Sequence, residues 1–359
     1  MNDPGFSYET RPVRVVFRPG AARTAPPEEA DRLGLRRLLV VCGSRGESTA
    51  RTVARALGDA CAGLHTGARM HVPADTAERA VEEARAAGAD GIVAVGGGSA
   101  IGLGKVIALR TRLPLMAVPS TYSGSEMTPV WGLTEHGVKR TGRDPVVQPR
   151  SVVYDPELTL SLPVPLTVTS AVNALAHAVE SLYAPDTSPL VSLMAEDGAR
   201  ALTEALPVLA KRPGDLDARG RALYGAWLCG TCLGSTTMGL HHKICHVLGG
   251  TFGLPHAETH TVVLPYVLAH NAPAAPGAVA ALRRALGARD VPGALWELAG
   301  SLGAPRSLAE LGLRPSDVGA AADQVAAQPY ANPRPVTADE VRAVLGAAYE
   351  GRPPSTPEV

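Results

Sequence analysis

Five of the ten histidines in this 359-residue chain fall between residues 241 and 260: His241, His242, His246, His256 and His260. His242 and His246 are four apart, so they share one face of a helix. His256 follows 14 residues after His242, beyond a Gly/Pro break, at the start of the next helical stretch. Upstream, Asn173 and His177 are also four apart, on an Ala-rich helix. A single histidine is most often structural. This many at ligand-like spacing on neighbouring helices mark a functional site, because imidazoles hold metals, bind anions and move protons near neutral pH.

A second chemistry is carried by glycines and hydroxyls. Gly96-Gly97-Gly98-Ser99 lies between a buried-type strand and a helix. Small residues there let backbone N–H groups approach a phosphate at the positive end of a helix. The pattern is neither GxGxxG, since position 101 is Ile, nor a Walker A loop. Gly102, Gly104 and Lys105 follow inside the helix, where glycine implies close packing or ligand approach. After the next strand comes Pro119-Ser120-Thr121-Tyr122-Ser123-Gly124-Ser125-Glu126. Its hydroxyls would stand at a strand's C-terminal end, where open parallel sheets bind ligands. A third loop, Gly43-Ser44-Arg45, follows an earlier strand and has no carboxylate before Glu47 for ribose hydroxyls. Arg45 could pair with a 2′-phosphate, and Lys139 could reach a cofactor phosphate or ribose.

These residues need elements to hold them. Strands are expected at Val13–Phe17, Arg36–Val41, around Gly67–His71, and at Gly91–Val95, Leu113–Val118 and Ser151–Tyr154. Helices at Thr49–Ala60, Asp75–Ala87 and Ala100–Arg110 alternate with them, and Met127–Arg143 reads as a hairpin. Such alternation implies a parallel sheet with crossover helices. From about Leu160 strand-like runs almost vanish, and Ala/Leu stretches of period near 3.6 take over. They are Val168–Tyr183, Pro189–Leu209, Ala218–Leu233, Leu240–Leu248 (closed by Gly249-Gly250), Glu258–Asn271, Ala278–Leu286, Val291–Leu302, Pro315–Ala327 and Ala338–Tyr349. The expectation is an α/β domain over 1–158 and an all-α domain over 159–359, ending in a frayed tail at Pro353–Val359.

Composition narrows the function classes. Lys+Arg and Asp+Glu both number 34, which excludes a basic nucleic-acid footprint. Aromatics make up only 4%, so base or sugar stacking is not the main binding device. The 45% hydrophobic content supplies a sizeable core. Five scattered cysteines oppose a disulfide framework, and Cys229-x-x-Cys232 lacks the second pair of a zinc site, so both read as buried core thiols. The N-terminus has no apolar leader pattern, and no apolar run reaches about 18 residues. A cytoplasmic protein without membrane or nucleic-acid partners is expected.

Together, Gly96–Ser99, the Pro119–Glu126 loop with the following Met127-Thr128-Pro129, Thr141–Pro145, Asn173–His177, Leu240–His260 and Asn332–Pro335 resemble the iron-containing alcohol dehydrogenase superfamily. Within it, the match is to the maleylacetate reductases, from about Tyr8 to about Gly351. The resemblance implies a Rossmann-like N-terminal domain and a helical C-terminal domain, the dehydroquinate synthase-like arrangement. It also implies NADH or NADPH in the cleft between them, and a homodimer. Gly43, Ser44, Gly96, Gly97, Gly98, Ser99, Ser120, Thr121, Ser123, Ser125 and Lys139 are the expected cofactor residues.

In metal-dependent members the ligands are one Asp and three His. Those positions fall here on Asn173, His177, His242 and His256. An amide and three imidazoles cancel none of a cation's charge, so no metal is expected. The implied reaction is NAD(P)H-dependent reduction of the C=C bond of a dicarboxylate, maleylacetate, with Asn173, His177, His242, His246 and His256 as catalytic candidates. Lys243, His241 and Arg334 are either partners for the substrate carboxylates or structural, and a structural role is the commoner one for such residues. The alternatives are a metal-dependent alcohol dehydrogenase that tolerates Asn173, and a nucleotide-binding homologue with a changed substrate or a non-redox role.

Overall fold

The computed structural model describes residues 5–9, 12–135, 138–327 and 329–354, without the side chains of Val138 and Lys139. It separates into two compact units, Thr10–Leu162 and Pro163–Val359 with Met1–Glu9. Within the first unit, β2 (Leu38–Val41), β4 (Gly91–Gly96) and β5 (Leu115–Pro119) are buried along their whole length. Their uninterrupted apolar runs belong to parallel strands covered on both faces. With β1 (Arg14–Phe17), β3 (Cys61–His65) and β8 (Ser151–Tyr154) they form a six-stranded sheet of order β1-β8-β5-β4-β2-β3, parallel throughout. The crossover helices are α2 (Glu47–Leu57), α3 (Ala74–Ala86) and α4 (Gly98–Thr111). The hairpin is β6 (Val130–Glu135) with β7 (Val138–Arg143), paired antiparallel.

One local expectation is corrected. The third strand is Cys61–His65, not Gly67–His71; His71 and Val72 have φ of 63° and 47°, which no strand residue adopts. Cys-Ala-Gly-Leu-His has weak strand propensity and is extended because it pairs with β2. A helix, α1 (Ala21–Leu33), is also present although Pro26 and Pro27 lie inside it. Its start is held by the buried Asp155 carboxylate, which accepts the Gly20 and Ala22 N–H groups at 2.9 and 3.0 Å. That satisfies orphan donors of the first turn.

The second unit is helical. Its central element, α5 (Val164–Leu182), is buried without interruption from Thr167 to Leu182. It packs on α6 (Pro189–Lys211), α7 (Leu216–Ser235) and α9 (His256–Asn271). A helix buried all round reads as almost wholly apolar. The polar residues it does carry, Asn173, His177 and Glu180 among them, must then find partners inside the protein. The preceding helix, α8 (Leu240–Phe252), runs through Gly249-Gly250 and ends at Gly253, whose φ of 72° closes the last turn. Cys229 and Cys232 are fully buried free thiols on α7, and burial pushes both well up, Cys232 to about 12. The remaining helices are α10 (Pro276–Leu286), α11 (Val291–Ser301), α12 (Asp317–Ala326) and α13 (Ala338–Glu350). Among the described residues no helix is long and apolar enough to cross a membrane.

Candidate active site

The helical unit places a carboxylate where the sequence reading had none. Glu180, on α5 and only 1% exposed, sits at the N-terminus of α8. Its Oε1 accepts the His241 N–H at 2.8 Å, and its Oε2 accepts the N–H groups of Gly239 and His242 at 3.2 and 3.3 Å. An anion is favoured there by the helix dipole and the orphan N–H groups. The same Oε2 lies 2.5 Å from His242 Nδ1. A carboxylate already accepting backbone N–H bonds orients that nitrogen as a donor, which leaves His242 Nε2 with its lone pair. His177 Nδ1 is 2.9 Å from His242 Nε2 and therefore donates to it. The result is a buried line, Glu180 to His242 to His177, in which His177 Nδ1 faces His242 and Nε2 is the ring nitrogen on the other side. Asn173, one turn earlier on α5, is 4% exposed, and its Oδ1 accepts no hydrogen bond among the described residues.

The other histidines extend this group. His256, at the first turn of α9, lies 4.4 Å from His260 with the ring planes tilted by 58°, and His260 is 5.0 Å from His242, centroid to centroid. His246 is exposed, 6.2 Å from His242. His241 Nε2 and His260 Nδ1 are hydrogen-bonded at 2.9 Å, with Cys245 Sγ 3.8 Å from His241. Burial, then neighbouring imidazoles, pushes both His241 and His260 well down, so neither carries charge near neutral pH. Of the two readings open for His241, a structural one and a partner for a substrate carboxylate, this supports the structural one. Arg334 has structural contacts too: it donates to the His270 carbonyl at 2.9 Å and pairs with Glu340 at 3.4 Å. Lys243 is half-buried on α8.

In the α/β unit, the connection from β2 leads to β3 on one side and that from β4 leads to β5 on the other. The strand order therefore reverses between β2 and β4, the switch point where such sheets take ligands. Gly43 and Ser44 follow β2, Gly96 to Ser99 run from the last residue of β4 into α4, and Ser120 to Ser125 follow β5, so the three loops share one edge. Ser120 N–H donates to the Gly96 carbonyl at 3.1 Å. Gly96 has φ 137°, and a Cβ on Gly97 would stand 2.9 Å from Thr121 Cγ2, so this close approach needs both glycines. A Cβ on Gly98 would meet open space. Gly104 packs on the sheet, where a Cβ would lie 2.9 Å from Ala94 and Leu115 side-chain atoms. Arg45 is exposed in the turn after β2. Lys139 is on β7, but its side chain lies outside the described residues, as does the tail from 355 onward.

A glycine-and-hydroxyl edge at a parallel switch point marks a ligand site, and it is joined in one chain to a helical unit with a buried acid–imidazole line. The chain belongs to the iron-containing alcohol dehydrogenase family: the model for iron-containing alcohol dehydrogenase matches residues 12–156, and that for the Fe-containing alcohol dehydrogenase family, C-terminal, matches residues 167–349. A maleylacetate reductase of Pseudomonas knackmussii is 52% identical over 350 residues, 98% of this chain and 99% of that protein. The crystal structure of maleylacetate reductase from Agrobacterium tumefaciens superposes with a TM-score of 0.94 at 48% identity, covering 98% of this chain and 100% of that one. That of the Rhizobium sp. enzyme does so with 0.94 at 49%, with the same coverage.

The family name implies iron, and the residues here do not fit it. Asn173, His177, His242 and His256 are four neutral donors, and His242 Nε2 is engaged by His177. The nearby Glu180 charge is already committed to α8 and His242. A divalent cation would be buried with no anion bound to it, which is strongly unfavourable. Among the described residues, the donors that do converge are His241, Cys245 and His260, all within 4.8 Å of one another. They are a set for a soft metal, and in this structure the His241–His260 hydrogen bond joins two of them directly.

Glu180 is the residue the sequence reading missed. The signal was available: Asn173, His177 and Glu180 stand at i, i+4 and i+7 on one face of an otherwise apolar helix.

Proposed function

We propose that this chain is an NAD(P)H-dependent reductase of maleylacetate, saturating its C=C bond to give 3-oxoadipate in the breakdown of aromatic compounds. The observation that carries the reading at the site is the buried Glu180–His242–His177 line beside Asn173, which supplies acid and hydrogen-bonding groups without a cation. The likeness in sequence to maleylacetate reductases over nearly the whole chain supports the same substrate.

When bound, the nicotinamide cofactor supplies a hydride for the alkene carbon β to the ketone. Negative charge then collects on the ketone oxygen as an enolate, and a proton must reach the carbon beside the ketone. His177 is assigned both tasks. A proton taken up at its Nε2 makes an imidazolium whose charge is balanced through His242 by Glu180. That imidazolium stabilises the enolate and then donates the proton. Asn173, with a bare buried oxygen and an amide N–H₂, orients the substrate next to it. His246, His256 and Lys243 are the remaining groups for the carboxylates. In balance, one NAD(P)H and one proton are consumed for each alkene saturated.

The cofactor is assigned to Gly43, Ser44, Gly96 to Ser99, Ser120, Thr121, Ser123, Ser125 and Lys139. The same reading assigns cofactor binding to residues 1–158 and the substrate groups to 159–359, in a cytoplasmic homodimer. The test is NADH and NADPH oxidation by the purified protein with maleylacetate, before and after EDTA. Activity that survives chelation is expected. Loss restored by iron(II) or zinc refutes the metal-free reading in favour of a metal-dependent dehydrogenase.

A further inference from the structure

Lys105, on the second turn of α4, is buried to 1% exposure, and its ammonium uses all three N–H donors. They go to the Ser125 carbonyl at 2.6 Å, Thr128 Oγ1 at 2.8 Å and the Val130 carbonyl at 2.8 Å. These acceptors close the Ser/Thr loop and begin β6. The opposite anchor of the loop is the fully buried Glu126, which accepts the Tyr154 hydroxyl at 2.8 Å and the Ser123 hydroxyl at 3.5 Å. Long ionisable side chains are almost never buried without a strong local reason. Here the reason is geometric: the helix that starts at the Gly96–Ser99 turn is tied directly to the loop that follows β5.

We infer that Lys105 is the positioning residue of the cofactor site, fixing the Ser120–Ser125 loop against α4 through Ser125, Thr128 and Val130. The inference rests on the assignment of that loop to NAD(P)H. The tie is also sensitive to protonation. Burial pushes Lys105 down to about 7, while the Glu126 charge pulls it back up. Other charged groups on the elements around α4 are engaged at its far end: Glu78 of α3 and Glu135 of β6 with Arg110, and Asp144 with Arg112. A neutral amine has two N–H groups for three acceptors, so one bond of the tie is lost as pH rises through about 7. One hydrogen bond corresponds to roughly threefold to tenfold in an equilibrium constant.

The experiment measures the Kd of NADH from pH 6 to pH 9 by fluorescence, with steady-state rates alongside. Wild-type Kd is expected to rise about threefold to tenfold across that range. Lys105→Met should raise Kd by about tenfold or more and remove the pH dependence, with the loss falling on KM for NADH more than on kcat. Thr128→Val removes one acceptor, so the neutral amine satisfies the two that remain. It should weaken NADH about threefold and flatten the profile, and it decides the matter alone if Lys105→Met does not fold. A flat wild-type profile, or variants that match wild type in Kd and slope, overturns the inference while leaving the cofactor assignment intact. A wild type that binds neither NADH nor NADPH at any pH overturns both.

Discussion

Replacing Glu180 by Gln tests the acid–imidazole line directly. The change is isosteric but removes the charge and turns one oxygen into a donor. Oε2 accepts three N–H groups and Oε1 accepts one, so the amide settles with its oxygen at the Oε2 position. His242 Nδ1 keeps an acceptor and its tautomer is preserved. The buried His241 N–H, by contrast, then faces an N–H₂ group. A bond to a charged group contributes about 1.5–3 kcal/mol, and an orphaned buried N–H costs about 1–3 kcal/mol. The bonds at the Oε2 position are kept but become neutral, a loss of about 1 kcal/mol, so with the orphaned N–H the helical unit should lose about 2–4 kcal/mol, read as a lowered Tm by circular dichroism. Catalysis loses the charge that balances an imidazolium at His177. Taking about 2–3 kcal/mol for the charge-assisted bond, kcat should fall about 30- to 150-fold. The assay is single-turnover NADH oxidation with saturating maleylacetate at a temperature where the variant is folded. On the proposed assignment of NAD(P)H to the α/β unit, NADH affinity should not change. A Glu180→Gln enzyme with kcat within about threefold of wild type would refute the line from Glu180 to His177.

Asn173→Asp adds an anion to the three imidazoles. It should raise iron(II) or zinc content in metal analysis and lower turnover by repelling the dicarboxylate, and an enzyme unchanged in both measures would place the reacting centre elsewhere. Gly97→Ala drives a methyl into Thr121, so KM for NADH should rise about tenfold while kcat changes little; an unchanged KM would separate the Gly96–Ser99 turn from the cofactor. Arg45→Ala should weaken NADPH more than NADH in direct binding, and an equal effect on both removes Arg45 from 2′-phosphate recognition.

Local patterns in the chain are enough to specify much of this protein. The continuous apolar runs at Leu38–Val41, Gly91–Gly96 and Leu115–Pro119 require strands buried on both faces. The glycines of residues 96–98 mark the turn that follows one of them. Periodicity near 3.6 makes everything after about Leu160 helical, and helical spacing alone puts Asn173 with His177 and His242 with His246. These features depend on neighbours a few residues away, and a sequence displays them directly. What the tertiary structure decided depends on partners far along the chain. Glu180 meets the start of α8 across 59 to 62 residues, and only that meeting sets the tautomers of His242 and His177. His241 is held neutral by burial and by the neighbouring imidazoles of His242 and His256, and Arg334 is engaged by Glu340 and the His270 carbonyl. Cys61–His65 is a strand because β2 offers it backbone partners. Ala21–Leu33 begins as a helix despite its two prolines because Asp155 holds its first N–H groups from 133 and 135 residues away. In each case a buried polar group had to be satisfied, and which group satisfies it is decided by packing rather than by adjacency.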